Sequence, residues 1–294
     1  MDADLDTLCT VVYCTADDLL PEARRNARRR ITDAELVTLC VAQAIMGIPS
    51  DRRFLRAARR QLGHLFPVLP SQPAYWKRRR RLADAIEWLM GVFAAQSPGS
   101  RDDLLLVDST PVPCAQSRET VKRSQLGDAA GYGYCAAHTR FYWGFCPHGT
   151  FAPDGTPREF AVGAANLAVA VARPARKDEP AGGPHLSQIR QRIESIFWTC
   201  KDLLTLERHG ARTLAGLRER ILQRFLCLAA CISLNHRLGR VPAVRSSTTA
   251  QAMGVESIIA QVPRQAEPGR AGLVAGLGDA VVTQLADDLL AVVR

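Results

Sequence analysis

Four residues, Ser97-Pro98-Gly99-Ser100, constrain the architecture of this chain more than any others. They join a helix stop, a fixed φ and a permissive glycine, and the apolar pattern changes character on either side of them. Every periodic segment before them has helical spacing. Thr32-Asp33-Ala34-Glu35 reads as a capping box opening a helix Glu35 to Met46, in which Leu36, Leu39, Cys40 and Ala44 share a face and Gly47 and Pro49 close the element. Ser50 or Asp51 caps a short basic helix reaching about Leu62. A third helix starts at Ser71, carries Pro73 in its first turn and runs to about Gln96, with Leu82, Ile86, Leu89, Met90 and Phe93 as its core stripe. The expectation is an all-α N-terminal domain, residues 1–97, with no strand before Ser97.

Beyond the break, Leu104-Leu105-Leu106-Val107 runs into Asp108-Ser109-Thr110-Pro111, the pattern of a buried strand that delivers an acid to its C-terminal edge. A long polar connection, Cys114 to Ala130, follows. Thr139 to Thr150 and Arg158 to Val162 read as two strands joined around Pro153-Asp154-Gly155, with proline at the first corner and glycine for positive φ. A helix then carries Ile189, Ile193, Ile196, Phe197, Cys200 and Leu204 as an apolar stripe. At about 100° per residue, Arg190, Glu194 and Lys201 project within about 40° of one another beside that stripe. A second helix runs from Thr213 to about Leu238. Residues 246–294 are Ala-, Val- and Gly-rich with weak helical patterns, and form an unassigned tail.

The strand-borne Val107-Asp108-Ser109-Thr110-Pro111-Val112 and the spacing Arg190-x3-Glu194-x6-Lys201 resemble the first and last acids of bacterial insertion-sequence DDE transposases. The family's final motif usually begins with Tyr three residues before the Arg, where this chain has Ser187. The resemblance runs from about Leu36 to Gly239 and is most specific at Asp108 to Tyr134 and Arg190 to Gly210. It implies an α/β fold, a ribonuclease H-like mixed sheet with flanking helices over residues 102–240. It also implies Mg²⁺-dependent phosphodiester cleavage and strand transfer in DNA transposition, with Asp108 and Glu194 as catalytic metal ligands and Arg190 and Lys201 contacting substrate phosphate or positioning Glu194. The alternative for those two bases is an intrahelical ion pair with Glu194 or Glu207. Duplex DNA at transposon ends is the implied partner, with a homodimer left open.

Charge agrees with an anionic partner. The 294 residues carry a formal charge of +9 and a pI of about 9.4, and each Lys or Arg set against a phosphate releases condensed counterions. Two clusters stand out: Arg24, Arg25, Arg28, Arg29 and Arg30, then Lys77, Arg78, Arg79, Arg80 and Arg81 beside Tyr75 and Trp76. Five consecutive bases cannot share one solvated stripe, so some must lie along the helix flanks, where DNA phosphates could be met. Lys122 and Arg123, with Arg118, give the polar connection the same potential; a solvated loop is the alternative there. Nine cysteines, odd in number and mostly within apolar patterns, read as reduced and cytoplasmic. No apolar run approaches the length of a membrane span. Cys135, His138, Cys146 and His148 are zinc-ligand types, but the spacing shows no reverse turn between them, and packed Cys and His are the expectation.

Mg²⁺ takes hard oxygen ligands, and seating two ions for in-line displacement normally requires three carboxylates. The acids between Asp108 and Glu194 are Glu119, Asp128, Asp154, Glu159, Asp178 and Glu179, and none follows a strand that itself follows a crossover helix. Only about 25 residues separate Val162 from the Glu194 helix, fewer than the roughly 30 that a crossover to a parallel strand and a return would take. Compared with the family pattern, a segment is absent near Ala165-Asn166-Leu167-Ala168-Val169. The expectation is a chain defective for lack of the second Asp, with a non-catalytic DNA-binding regulator of transposition as the alternative.

Overall fold

The computed structural model describes residues 5–21, 30–115, 117–135, 139–166 and 186–240, with side chains in the last stretch described from Arg192 onward. Its first half is helical: α1 Leu5–Leu19, α2 Asp33–Ile45, α3 Asp51–Gln61, α4 Gln72–Arg81 and α5 Ala83–Ala95. No strand precedes Leu106 among the described residues. The capping box forms as read, with Thr32 accepting from the Glu35 N–H at 3.0 Å and the Glu35 carboxylate accepting from the Thr32 N–H. Ser50 caps α3 by accepting from the Arg53 N–H.

The expected long helix Ser71 to Gln96 is two helices that meet at Leu82, where φ −91° and ψ 10° depart from helical values although the Leu82 N–H still donates to the Arg78 carbonyl at 3.0 Å. α4 buries Tyr75 and Arg79, and α5 lays Ile86, Leu89, Met90 and Phe93 into the core.

α2 is buried around its whole circumference, from Leu36 through Ile45, which requires neighbours on every side. One of these is α8, Leu214–Arg237, from the far end of the described chain, which packs on α1, α2, α4 and α5. A single buried cluster therefore runs from Leu8 to Leu234. The junction at Ser97–Ser100 contains a 3₁₀ turn, Pro98–Arg101, and the core continues across it.

The sheet holds β1 Leu106–Ser109, β2 Val112–Ala115, β3 Gly131–Cys135, β4 Arg140–Phe151 and β5 Pro157–Ala164, with α6 Arg118–Lys122 between β2 and β3. β4 is central and pairs antiparallel with each of the other four. β1 and β2 share one register along it: Leu106 faces Phe151, Ser109 faces His148, the Thr110 N–H donates to the Pro147 carbonyl at 3.1 Å, and Val112 faces Phe145. They form one edge interrupted at Pro111, which has no N–H to give the ladder. β5 and β3 line the other edge, along Phe145–Phe151 and Arg140–Gly144.

Three sequence expectations change here. All described pairings are antiparallel, so the described sheet is not mixed; the strand expected at Val169 to Ala172 lies outside the described residues. β1 is not a buried strand ending at the acid. It begins at Leu106 and includes Asp108, while Leu104, Leu105 and Val107 stay 44–45% exposed, because the strand pairs on one side and is covered on one face only. β3 was not foreseen, since its Gly-Tyr-Gly-Tyr alternation combines β-favouring tyrosines with glycines that weaken strands.

By alternation, Leu106, Asp108, Val112, Phe145, Gly149 and Phe151 share the face that carries the helices. Phe151 meets Phe197 and Phe225 edge-on, with ring centroids 5.4 and 5.6 Å apart, and Phe160 meets Phe225 at 5.5 Å. The β4–β5 turn has the expected geometry, with Gly155 at φ +94° and its N–H donating to the Ala152 carbonyl. Asp154 accepts from the Gly99 N–H at 2.8 Å and fixes this turn to the helix–strand junction. A Cβ at Gly99 would sit 2.3 Å from the Asp154 carboxylate, so only glycine fits there.

Two buried ionisable groups give the fold a pH signature. His209 Nδ1 accepts from the Ala211 N–H at 3.0 Å, so the ring is neutral; burial, followed by the Arg224 guanidinium, pushes it down to about 4. Asp51 is opposed by burial, but hydrogen bonding and charge from Arg79, with the charge of Arg220, win and lower it to about 2. As pH falls from about 6.5 to 4, the unfolded chain takes up a proton at His209 that the folded chain refuses, and stability should drop by about 3 kcal/mol. The Asp51 contribution is intact above its unfolded value and is lost between about pH 4 and 2. Urea titrations at pH 7, 5 and 4 should show the first loss, and His209→Gln should flatten it. An equal slope in wild type and variant would reject the assignment.

Candidate functional site

Asp108 sits in the middle of β1, opposite Gly149 of β4, with its carboxylate exposed and accepting from the Ser109 N–H at 2.8 Å. The Phe151 ring lies over Gly149, where a Cβ would come within 2.6 Å of it, so Asp108 borders the aromatic cluster beneath the helices. His148, next along β4, feels the same carboxylate: burial lowers its pKa and the Asp108 charge opposes that shift. Glu194 is exposed on α7, Leu186–Trp198, one turn before Phe197 and beside buried Ile193. α7 packs against β1, and Phe197 touches Phe151, which shares the sheet face of Asp108. Asp108, on that face of the sheet, and Glu194, on a helix packed over it, therefore belong to the same side.

The other acids do not complete a centre. Glu119 pairs with Lys122 at 3.2 Å on α6, Asp154 is spent on the turn, and Glu159 faces Thr150 on the sheet face opposite Asp108. Asp178 and Glu179 lie outside the described residues. Among the described residues no three His, Cys, Asp or Glu side chains gather where a metal ion could be held. Two exposed carboxylates do not fit a two-Mg²⁺ centre. Cys135 and Cys146 do flank Tyr142, and Cys135 pairs with Arg140 in the β3–β4 ladder; residues 136–138, His138 among them, are outside the described residues.

The expected phosphate-binding bases divide sharply. Arg79 is fully buried, with its Nε donating to Glu219 and its terminal nitrogens to Asp51 at 2.9 and 3.2 Å. Arg78 donates to the Ile31 and Thr32 carbonyls and pairs with Asp33 at 2.6 Å. These two hold the fold together and are corrected out of the DNA-binding set. Buried and partly buried carboxylates on α2, α3 and α8 are closer partners than any solvent-borne phosphate could be. Arg80 stacks on Trp76 at 5.1 Å, while Lys77 and Arg81 are exposed. Lys122 and Arg123 are exposed on and after α6.

Lys201 is 3.4 Å from Glu207 and does not continue the row of Arg190 and Glu194. The α-helix gives way to a π-turn, Thr199–Leu203, in which the Leu204 N–H donates to the carbonyl of Thr199, five residues back. The extra residue in that turn shifts the phase that a regular helix would have kept. The side chain of Arg190 is outside the described set, as are Arg24, Arg25, Arg28 and Arg29.

A further basic surface lies on the short basic helix capped by Ser50. α3 presents Arg52, Arg53, Arg56, Arg59 and Arg60, all exposed, while Phe54, Ala57 and Ala58 face inward. The signal was available, since positions i, i+1, i+4, i+7 and i+8 lie within about 120° on a helix.

Comparison of the chain with protein-family models, with curated proteins and with solved structures finds no match. Among the described residues, no helix is long and apolar enough to cross a membrane.

Proposed function

We propose that this chain is a DDE-transposase-like protein that binds duplex DNA and does not carry out strand transfer. The observation that carries the reading is the placement of the acids: Asp108 on a strand antiparallel to β4, which is in turn antiparallel to β5, and Glu194 on a helix packed over the same face. A ribonuclease H-like domain begins with such a three-stranded antiparallel order and carries its first acid on the same strand. The outer edge of β1 pairs with no described strand, and Leu104, Leu105 and Val107 are exposed beside it. On this reading that edge is where the strand bearing a second Asp would have joined. Two carboxylates bind one cation weakly, so the chain acts by occupying DNA.

The test has two parts. Anisotropy of a labelled duplex should report binding that weakens steeply with salt, and supercoiled plasmid with Mg²⁺ should remain uncut. Nicking that disappears in Asp108→Asn would overturn the claim of inactivity. Absence of any duplex binding at low salt would overturn the function itself.

A further inference from the structure

α3 carries five guanidinium groups on one exposed face, and none of them takes part in an ion pair of the described structure. From Arg52 to Arg60 the helix rises by about 12 Å, so this face sets out one positive charge per ~3 Å. A DNA duplex carries about one negative charge per 1.7 Å of its axis, a density of the same order. Left alone, such a face repels itself. Nearby acids do not relieve it: Asp51, at the start of α3, is buried and committed to Arg79 and Arg220.

The surface is also shaped. Arg56 and Arg60 form a ridge between two open concavities. One, of about 690 Å³, lies between α3 and the Gly47–Ser50 connection and is completed by Arg208; the other, of about 460 Å³, lies between α3 and the Pro70–Gln72 start of α4. Arg208 follows the π-turn that ends the helix of Glu194, so one residue of the basic surface shares a short piece of chain with the acid-bearing helix. Gly47 sits at φ +62°, which lets the connection fold back and keep the first concavity open.

We infer that the arginine face of α3, with Arg208, is the principal DNA-backbone contact of this protein, seating duplex phosphates in the two concavities beside Arg56 and Arg60. This rests on the proposal that the protein binds duplex DNA, and it assigns that binding to α3 in place of the Lys77–Arg81 run. Its specificity is for the phosphate backbone, because the face offers little besides guanidinium groups, which carry no base readout when set on phosphates.

The full chain and three variants decide the matter by anisotropy against one duplex across a salt series. In the first variant Arg52, Arg53, Arg56, Arg59 and Arg60 become Gln; in the second the same five become Lys; in the third only Lys77 and Arg81 become Gln. The Gln quintet should reduce the magnitude of the log-affinity versus log-salt slope by about 4 and weaken binding more than about 100-fold at 0.1 M salt. The Lys quintet should keep most of the slope, which a merely structural role for the arginines would not secure. Lys77 and Arg81 should change it by less than about 2. If wild type binds and the Gln quintet retains its slope, the α3 assignment falls while the DNA-binding function stands. If wild type binds no duplex, both fall.

Discussion

Replacing Glu219 with alanine is expected to destabilise the protein by about 3–5 kcal/mol, enough to unfold a domain of ordinary stability. Arg79 on α4, Arg220 and Arg224 on α8, and the carboxylates of Asp51 and Glu219 are all buried together, with Gln43 and Gln223 bridging between them. Three guanidinium groups already outnumber two carboxylates, and the excess is visible at Arg224, which burial and then Arg220 push down to about 9. Arg224 is made tolerable by carbonyls, donating to Leu204 and Arg220 at 3.1 and 3.0 Å. Without Glu219, Arg79 would keep Asp51 alone, an acid already shared with Arg220. The loss should appear as a shift in urea midpoint. The paired change Arg79→Met with Glu219→Leu should recover most of it, because it removes one charge of each sign and leaves Asp51 paired with Arg220. If the single and paired variants were equally unstable, packing and not charge would explain the loss.

Phe151→Ala should cost a similar amount, about 3–5 kcal/mol, for a different reason. The ring is fully buried at the point where β4, α7 and α8 meet, against Phe197 and Phe225 and over Gly149. Truncation leaves a cavity that three elements cannot close together without distorting the sheet. Phe141→Ala, on the same strand but 79% exposed, should change stability by less than about 0.5 kcal/mol. Hydrogen exchange offers a second readout: amides of β1 should exchange faster in Phe151→Ala, because α7 no longer clamps that edge. Protection unchanged at Leu106 to Ser109 would show that α7 is held some other way.

The sequence was informative wherever a local rule decides the structure. Thr32 and Glu35 announce their helix because the capping box closes within four residues, and Pro153 with Gly155 announces its turn in the same way. The strand of Asp108 and the helix of Glu194 were visible as separate elements, and their packing on one sheet face could be expected only through a family pattern. What stayed hidden depends on partners far along the chain. Arg79 looked like its neighbours because nothing local marks Glu219, 140 residues away, as its counterion. The π-turn after Trp198 moved Lys201 toward Glu207, a shift that no regular periodicity encodes. The exposure of Val107 follows from an unpaired strand edge, and an apolar run reads the same whether one or both of its sides are covered.

The position of α8 has a consequence for how the chain comes into being. α2 emerges from the ribosome apolar on every side, and the helix that covers much of it is made almost 170 residues later. During that interval α1 to α5 can form turns and pair loosely, but α2 lacks its cover and Asp51 lacks Arg220 of α8. Contacts so distant in sequence slow folding, and exposed apolar surface in the meantime invites association with other chains. Synthesis of the protein should therefore draw heavily on chaperones until Arg237 has cleared the exit tunnel. The all-or-none step that follows would unite the helical layer and the sheet in one event.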